Sequence, residues 1–164
     1  MENVIKKEIR KIHAFDKECT YAEYVRICVT ANFGTQSIYR KQHLESLCSE
    51  HGIQISGKEQ KSELYDLLIA SGMQPIDFER VASRYGDPNL CIGVISSDYQ
   101  KAFNITHKDV KRLESCGALE KVGTYRVRAY GKYLYPSRYS AWQFVTMTDT
   151  EMHSLLKRMV NNAT

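Results

Sequence analysis

No apolar run in this chain approaches twenty residues, and no charged leader is followed by an apolar stretch. We therefore expect neither a membrane span nor a secretory signal, and a cytoplasmic location. Cysteine is present without pattern: Cys19, Cys28, Cys48, Cys91 and Cys116 are odd in number and form no CxxC, which disfavours a zinc site or disulfide scaffold and suits a reducing compartment. His13, His43, His51, His107 and His153 stand apart, with no HExxH and no pair four residues apart. A nucleophile elbow is missing too, so the expectation is a protein that is not an enzyme and carries neither metal nor cofactor.

Acidic side chains run short in one part of the chain only. Residues 1–100 hold 12 basic and 14 acidic groups, a net of −2, whereas residues 101–164 hold 11 and 5, a net of +6. The whole chain, 164 residues with 43% apolar and 26% charged, is long enough for one good core or two small ones. Polyanion binding is thus expected in the second part, against the plainer alternative of an unevenly charged solvent face.

What is present is organised around residues 97–139. Ser97 with Gln100 is placed to cap a short helix carrying Tyr99, Ala102 and Phe103 on one side. Thr106 with Asp109 opens a second helix, roughly 107–116, which Gly117 ends. Its inward residues are Val110 and Leu113, while His107, Lys108, Lys111, Arg112 and Ser115 share the opposite side. Beyond Leu119 the period shifts to two, and Gly131-Lys132 reads as a type II′ turn that pairs Tyr130 with Tyr133, Ala129 with Leu134 and Arg128 with Tyr135. One face then carries Tyr125, Val127, Ala129 and Leu134, able to cover the helices; the other carries Arg126, Arg128, Tyr130, Tyr133 and Tyr135. Pro136 has no amide donor, so the strand ends there or lies at an edge.

Helix, turn, helix and a basic hairpin resemble the winged helix-turn-helix family of DNA-binding domains over residues 95–145. The resemblance implies a recognition helix, His107 to Cys116, in the major groove and a wing, Tyr125 to Tyr135, on the flanking backbone or minor groove. Lys108, Lys111, Arg112 and Ser115 have the reach for base edges, with Lys111 and Arg112 the expected readers of guanine and His107 a phosphate or capping contact. Arg126, Arg128, Lys132 and Arg138, interleaved with Tyr130 and Tyr133, suit a phosphate backbone. An aromatic hairpin that merely shields its own core is the alternative.

Upstream, Ile5, Ile9 and Ile12 fall at helical spacing within residues 3–15. Thr20 with Glu23 makes a capping box for a helix with the stripe Tyr21, Tyr24, Val25, Cys28 and Val29, and Gly34 is placed to end it. From Ile38 to Gly72 the pattern is a helix with Leu44, Leu47 and Cys48 inward, an extended GIQISGK segment, and a helix with Leu64, Leu67 and Leu68 inward. Gly52-Ile53, Ser56-Gly57, Lys61 and Glu63-Leu64 make this stretch similar to the SAP or HeH family of small DNA-binding modules, with about two extra residues in the link. That resemblance implies phosphate-facing roles for Ser56, Gly57, Lys58 and Lys61; a helical spacer is the competing reading. Gly52, Gly57 and Lys58 also match the GxxxxGK of a phosphate-binding loop, but Glu59 stands where a hydroxyl is needed for Mg²⁺ and the segment follows a helix, so nucleotide hydrolysis is rejected.

Gly72 to Pro75 breaks the pattern, and Ile76 to Tyr85 reads as a helix ending at Gly86-Asp87-Pro88. Cys91 to Ile95 is either a strand pairing with the wing or the lead into the next helix. Arg138, Tyr139, Trp142 and Phe144 suggest a returning strand, and Thr148 with Glu151 caps a last helix whose Met152, Leu155, Leu156 and Met159 close the core or pair two subunits into a homodimer. The expected fold class is mainly α with a small β-hairpin (α+β), divided as 1–35, 36–74 and 75–164. The expected function is binding of double-stranded DNA by a regulator or accessory factor of a phage or mobile element. A protein-binding inhibitor or adaptor, for example of a defence-system enzyme, is the alternative partner class.

Overall fold

The computed structural model describes residues 6–32, 39–82 and 91–162, apart from the side chains of 161 and 162. In chain order its elements are β1 (Ile12–Ala14), β2 (Lys17–Cys19), α1 (Tyr21–Thr30), α2 (Lys41–Glu50), α3 (Lys61–Ala70), α4 (Pro75–Ala82), β3 (Gly93–Val94), α5 (Ser96–Phe103), α6 (His107–Ser115), β4 (Lys121–Thr124), β5 (Val127–Ala129), β6 (Lys132–Leu134), β7 (Ser137–Ser140), α7 (Ala141–Thr146) and α8 (Asp149–Asn162). The fold is α+β: among the described residues, helices with three small antiparallel sheets, ordered β1-β2, β3-β7-β4 and β5-β6.

Reciprocal caps set three helix starts where the sequence puts them. Thr20 Oγ1 accepts from the Glu23 amide while the Glu23 carboxylate accepts from the Thr20 amide; Thr106 with Asp109 and Thr148 with Glu151 repeat this before α6 and α8. The start of α5 differs from expectation. Ile95 is its N-cap residue, whose amide is satisfied by the Asp98 carboxylate, so Ser97 lies inside the helix. Asn104 (φ 53°) ends α5 and Gly117 (φ 80°) follows α6, both in the left-handed region that closes a helix.

Residues 6–15 are not helical. Ile12 and Cys19 face each other across β1-β2, both buried, with Phe15 and Asp16 at positive φ forming the tight turn between them. Burial with period two at Ile12 and Ala14 overrides the helical spacing, and Ile9 is half exposed. Ile5, Gly34, Ile38, Tyr85 and Gly86-Asp87-Pro88 lie outside the described residues.

Tyr21, Tyr24, Val25, Cys28 and Val29 of α1 are all buried. Leu44, Leu47 and Cys48 of α2 and Leu64 and Leu68 of α3 join them, but Leu67 is exposed and Tyr65 takes its inward place, stacked on Phe78 of α4 at 4.8 Å. Gly72 (φ 114°) and Gln74, whose amide the Asp77 carboxylate accepts, turn the chain from α3 into α4. One cluster of buried side chains runs from Ile12 through Leu68 and Phe78 to Leu113, Phe144 and Met152, so Gly72 to Pro75 separates two helices that share a core. Each large apolar side chain buried in it contributes about 1.5–3 kcal/mol.

Glu79 of α4 lies in this interior as an acceptor for three donors: Tyr21 Oη at 3.0 Å, Ser140 Oγ at 2.6 Å and the Trp142 amide at 3.0 Å. It thereby joins α1, α4, β7 and α7. Burial pushes its carboxyl above the usual range, and the three hydrogen bonds oppose that only in part.

β3 pairs with β7, outside the hairpin, and leads straight into α5. Gly93 is required there, because a Cβ would meet the Tyr139 carbonyl at 2.6 Å. On the other side of β7 lies β4, with Thr124 opposite Ser137. The pairing carries on outward through Tyr125 N to the Pro136 carbonyl at 3.1 Å, then Val127 opposite Leu134, Arg128 opposite Tyr133 and Ala129 opposite Lys132. The turn is therefore Tyr130-Gly131, with φ 53° and 73°, one residue earlier than Gly131-Lys132 and with the two positive φ values of a type I′ turn. Sliding the turn by one residue changes each partner by two, so the side chains keep their faces. The apolar face does not cover the helices: Leu134 is 48% exposed, and neither it nor Tyr125, Val127 or Ala129 packs against the core.

After β7 the backbone turns helical at Ala141, so Trp142 and Phe144 lie on α7 where a strand was expected. Met152 of α8 is buried and Leu155, Leu156 and Met159 pack on the core, which is the core-closing use of that helix.

Candidate nucleic-acid interface

Val110 and Leu113, fully buried, fix the roll of α6 and turn His107, Lys108, Lys111, Arg112 and Ser115 to solvent. The five are not equally free. His107 Nδ1 shares a hydrogen bond of 2.7 Å with Ser96 Oγ, tying the first turn of α6 to that of α5. Lys111 Nζ lies 3.2 Å from Glu114 Oε1, which also accepts from Tyr139 Oη at 2.6 Å. Burial opposes ionisation of Glu114, but hydrogen bonds from Tyr139 and Ser137 and the Lys111 ammonium hold its carboxyl below the usual range. Lys111 is accordingly paired within its own helix. Ser115 Oγ donates to the Lys111 carbonyl at 2.9 Å, so its hydroxyl is turned back on its own helix and away from base edges. Lys108 and Arg112 are exposed and form no ion pair among the described residues.

Tyr130 is 100% exposed at the hairpin tip, with Tyr133 and Tyr135 more than half exposed below it. The guanidinium of Arg126 lies over the Tyr133 ring at 4.9 Å and that of Arg128 at 6.0 Å, so the tyrosine holds two cations on one face of the arm. Lys132, opposite Ala129, is exposed on the other face. From Lys121 to Ser140 there is no acidic residue at all. Arg138 is placed differently from the expectation. It sits on the central strand β7 with its guanidinium over Tyr125 at 5.3 Å, and its Nε is buried without a hydrogen-bond partner among the described residues.

The link between α2 and α3 departs furthest from its expected role. Glu59 folds back on it, accepting from the Ser56 amide (2.7 Å), Ser56 Oγ (2.9 Å) and the Gly57 amide (3.0 Å). Those backbone and hydroxyl donors lower its carboxyl to about 2, and they are spent on an internal anion where a phosphate was expected. Lys61 is only 8% exposed; its Nζ donates to the Ala31 carbonyl at 3.0 Å and to the Tyr39 carbonyl, and burial lowers its pKa. Lys58 alone of the four presents an exposed charge.

One functional candidate escaped the sequence reading. Arg158 of α8 lines a groove of about 850 Å³ together with Lys108, Lys111 and Arg112 of α6, over Leu155 and Met159. Its signal was a cation flanking the apolar stripe of an amphipathic helix, which names no neighbour. Among the described residues no group of three His, Cys, Asp or Glu could hold a metal ion, and no helix is long and apolar enough to cross a membrane. Comparison of the chain with protein-family models, with curated proteins and with solved structures finds no match.

Proposed function

We propose that this chain binds double-stranded DNA as a winged helix-turn-helix protein, with α6 as the recognition helix and the β5-β6 arm as the wing. The observation that carries the reading is the order β3, α5, α6, β4, hairpin, β7 with the sheet order β3-β7-β4, which sets an exposed cationic helix just before an acid-free cationic arm. Arg112 and Lys108 are the base and phosphate contacts with charge to spare, Lys111 contributes once Glu114 is displaced or screened, and Arg126, Arg128 and Lys132 neutralise flanking phosphates. The amides of Ser56 and Gly57, and Lys61, stand outside this interface: the amides are bound by Glu59 within the link, and Lys61 ties α3 to the end of α1 and the chain before α2. Within this proposal the chain acts as a regulator or accessory factor.

The test is a mobility-shift titration across a salt series with the Lys108→Glu/Arg112→Glu variant. Affinity should fall about 100-fold at low salt, and the slope of log affinity against log salt should become shallower by roughly 2. Equal affinity and slope in variant and parent would defeat the proposal. Surface changes of this kind move stability by no more than about 0.5 kcal/mol, so thermal unfolding serves as the control.

A further inference from the structure

We infer that the groove between α6 and α8 is a binding site for a small amphipathic anion, an aromatic or alkyl body bearing one carboxylate, sulfonate or phosphate, and that its occupancy excludes DNA. Only the second clause rests on the DNA-binding reading.

The groove has two chemistries in layers. Its floor is apolar, from Leu155 and Met159, which pack on the core and are half-buried. Its rim is cationic, from Lys108, Lys111, Arg112 and Arg158, and among the described residues no carboxylate lines it. Glu114 offsets Lys111 from outside the groove, whereas Lys108, Arg112 and Arg158 form no ion pair among the described residues. A volume of about 850 Å³ falls within the roughly 300–1,000 Å³ of small-molecule sites. An inorganic anion would leave the floor wet, and a neutral apolar body would leave the cations unused. A ligand with both parts removes apolar surface from water and brings its charge beneath guanidinium groups that match a planar oxyanion in two hydrogen bonds. The rim cations on α6 are those proposed to meet DNA, so one ligand takes them from the other.

Methyl NMR of the full chain, with methionine ¹³C-methyl labels, reads the floor directly at Met159. Naphthalene-2-sulfonate should shift the Met159 methyl saturably, while inorganic phosphate and neutral 2-naphthol should leave it in place at the same concentrations. Arg158→Gln, an exposed change that leaves the core intact, should weaken the sulfonate about tenfold, and Leu155→Asn should do so without altering net charge. A Met159 methyl that does not move, that moves equally with 2-naphthol, or that ignores Arg158→Gln overturns the site, whatever the protein does with DNA. Competition is scored separately by anisotropy of a labelled duplex. Where DNA binds, saturating sulfonate should reduce its apparent affinity at least tenfold, and unchanged affinity overturns the exclusion.

Discussion

Two stretches of this chain read alike in sequence and are built in opposite ways. Ser56, Gly57, Lys58 and Lys61 on the α2–α3 link, and Lys108, Arg112, Arg126 and Arg128 on α6 and the arm, both offered donors and cations to a phosphate. In the link all but Lys58 are consumed: Glu59 takes the Ser56 and Gly57 amides, and Lys61 spends its ammonium on the Ala31 and Tyr39 carbonyls. On α6 and the arm the cations reach water or lie on an aromatic ring. A basic residue type therefore says little about binding until its own partners are known, because a charge already satisfied inside the protein has no free energy left for a ligand.

The sharpest way to break this contrast is Lys61→Ala. It leaves two carbonyls, at the end of α1 and before α2, without their charged donor, and should destabilise the protein by about 2–3 kcal/mol in urea unfolding. DNA affinity per folded molecule should stay within twofold. A large loss of affinity with unchanged stability would return Lys61 to the interface.

Acid titration sharpens the contrast by sign. Glu59 ionises near 2 in the fold against an ordinary 4.5, so the folded state binds fewer protons between these values and its stability is lost as pH falls from about 4.5 towards 2. Glu79 is raised above 4.5, so its folded carboxyl holds a proton longer and its contribution is lost as pH rises above about 4.5 through the folded pKa. Urea midpoints followed over pH should show Glu59→Gln flattening the acid limb and Glu79→Gln flattening the limb above 4.5. Gln can retain both acceptor bonds at Glu79 Oε1 and turn its amide to Ser140. The same limb flattened by both variants would contradict the opposite signs.

The smallest effect is expected at the arm. Tyr130 occupies the left-handed region at φ 53°, where Asn is tolerated better, so Tyr130→Asn should stabilise the hairpin by about 0.5–1 kcal/mol. Cross-strand NMR contacts between Arg128 and Tyr133 would report it; a weakened hairpin would mean that the exposed ring itself holds the arm.

Sequence legibility followed the range of the interactions. Thr20 with Glu23, Thr106 with Asp109 and Thr148 with Glu151 were readable because each cap is made within four residues. The arm's turn was not, since its place is set by the register that β4 and β7 transmit outward from Thr124 and Ser137, and that register puts a tyrosine where glycine would sit more easily. Leu67 lost its inward place to Tyr65 because Phe78, thirteen residues further on, offers a stacking partner. The spacing of Ile9 and Ile12 suggested a helix, yet Cys19 across a tight turn gives Ile12 a buried partner that only a hairpin supplies.

By itself, then, the order of residues determined the helices that begin at reciprocal caps, the charge asymmetry of +6 against −2, and the alternation of the arm, since all of these rest on neighbours a few residues apart. Tertiary structure alone decided which cations remain available, because the carbonyls that claim Lys61, the Tyr139 hydroxyl that joins Lys111 on Glu114, and the helix that sets Arg158 in one groove with Arg112 reach those places only when distant segments pack.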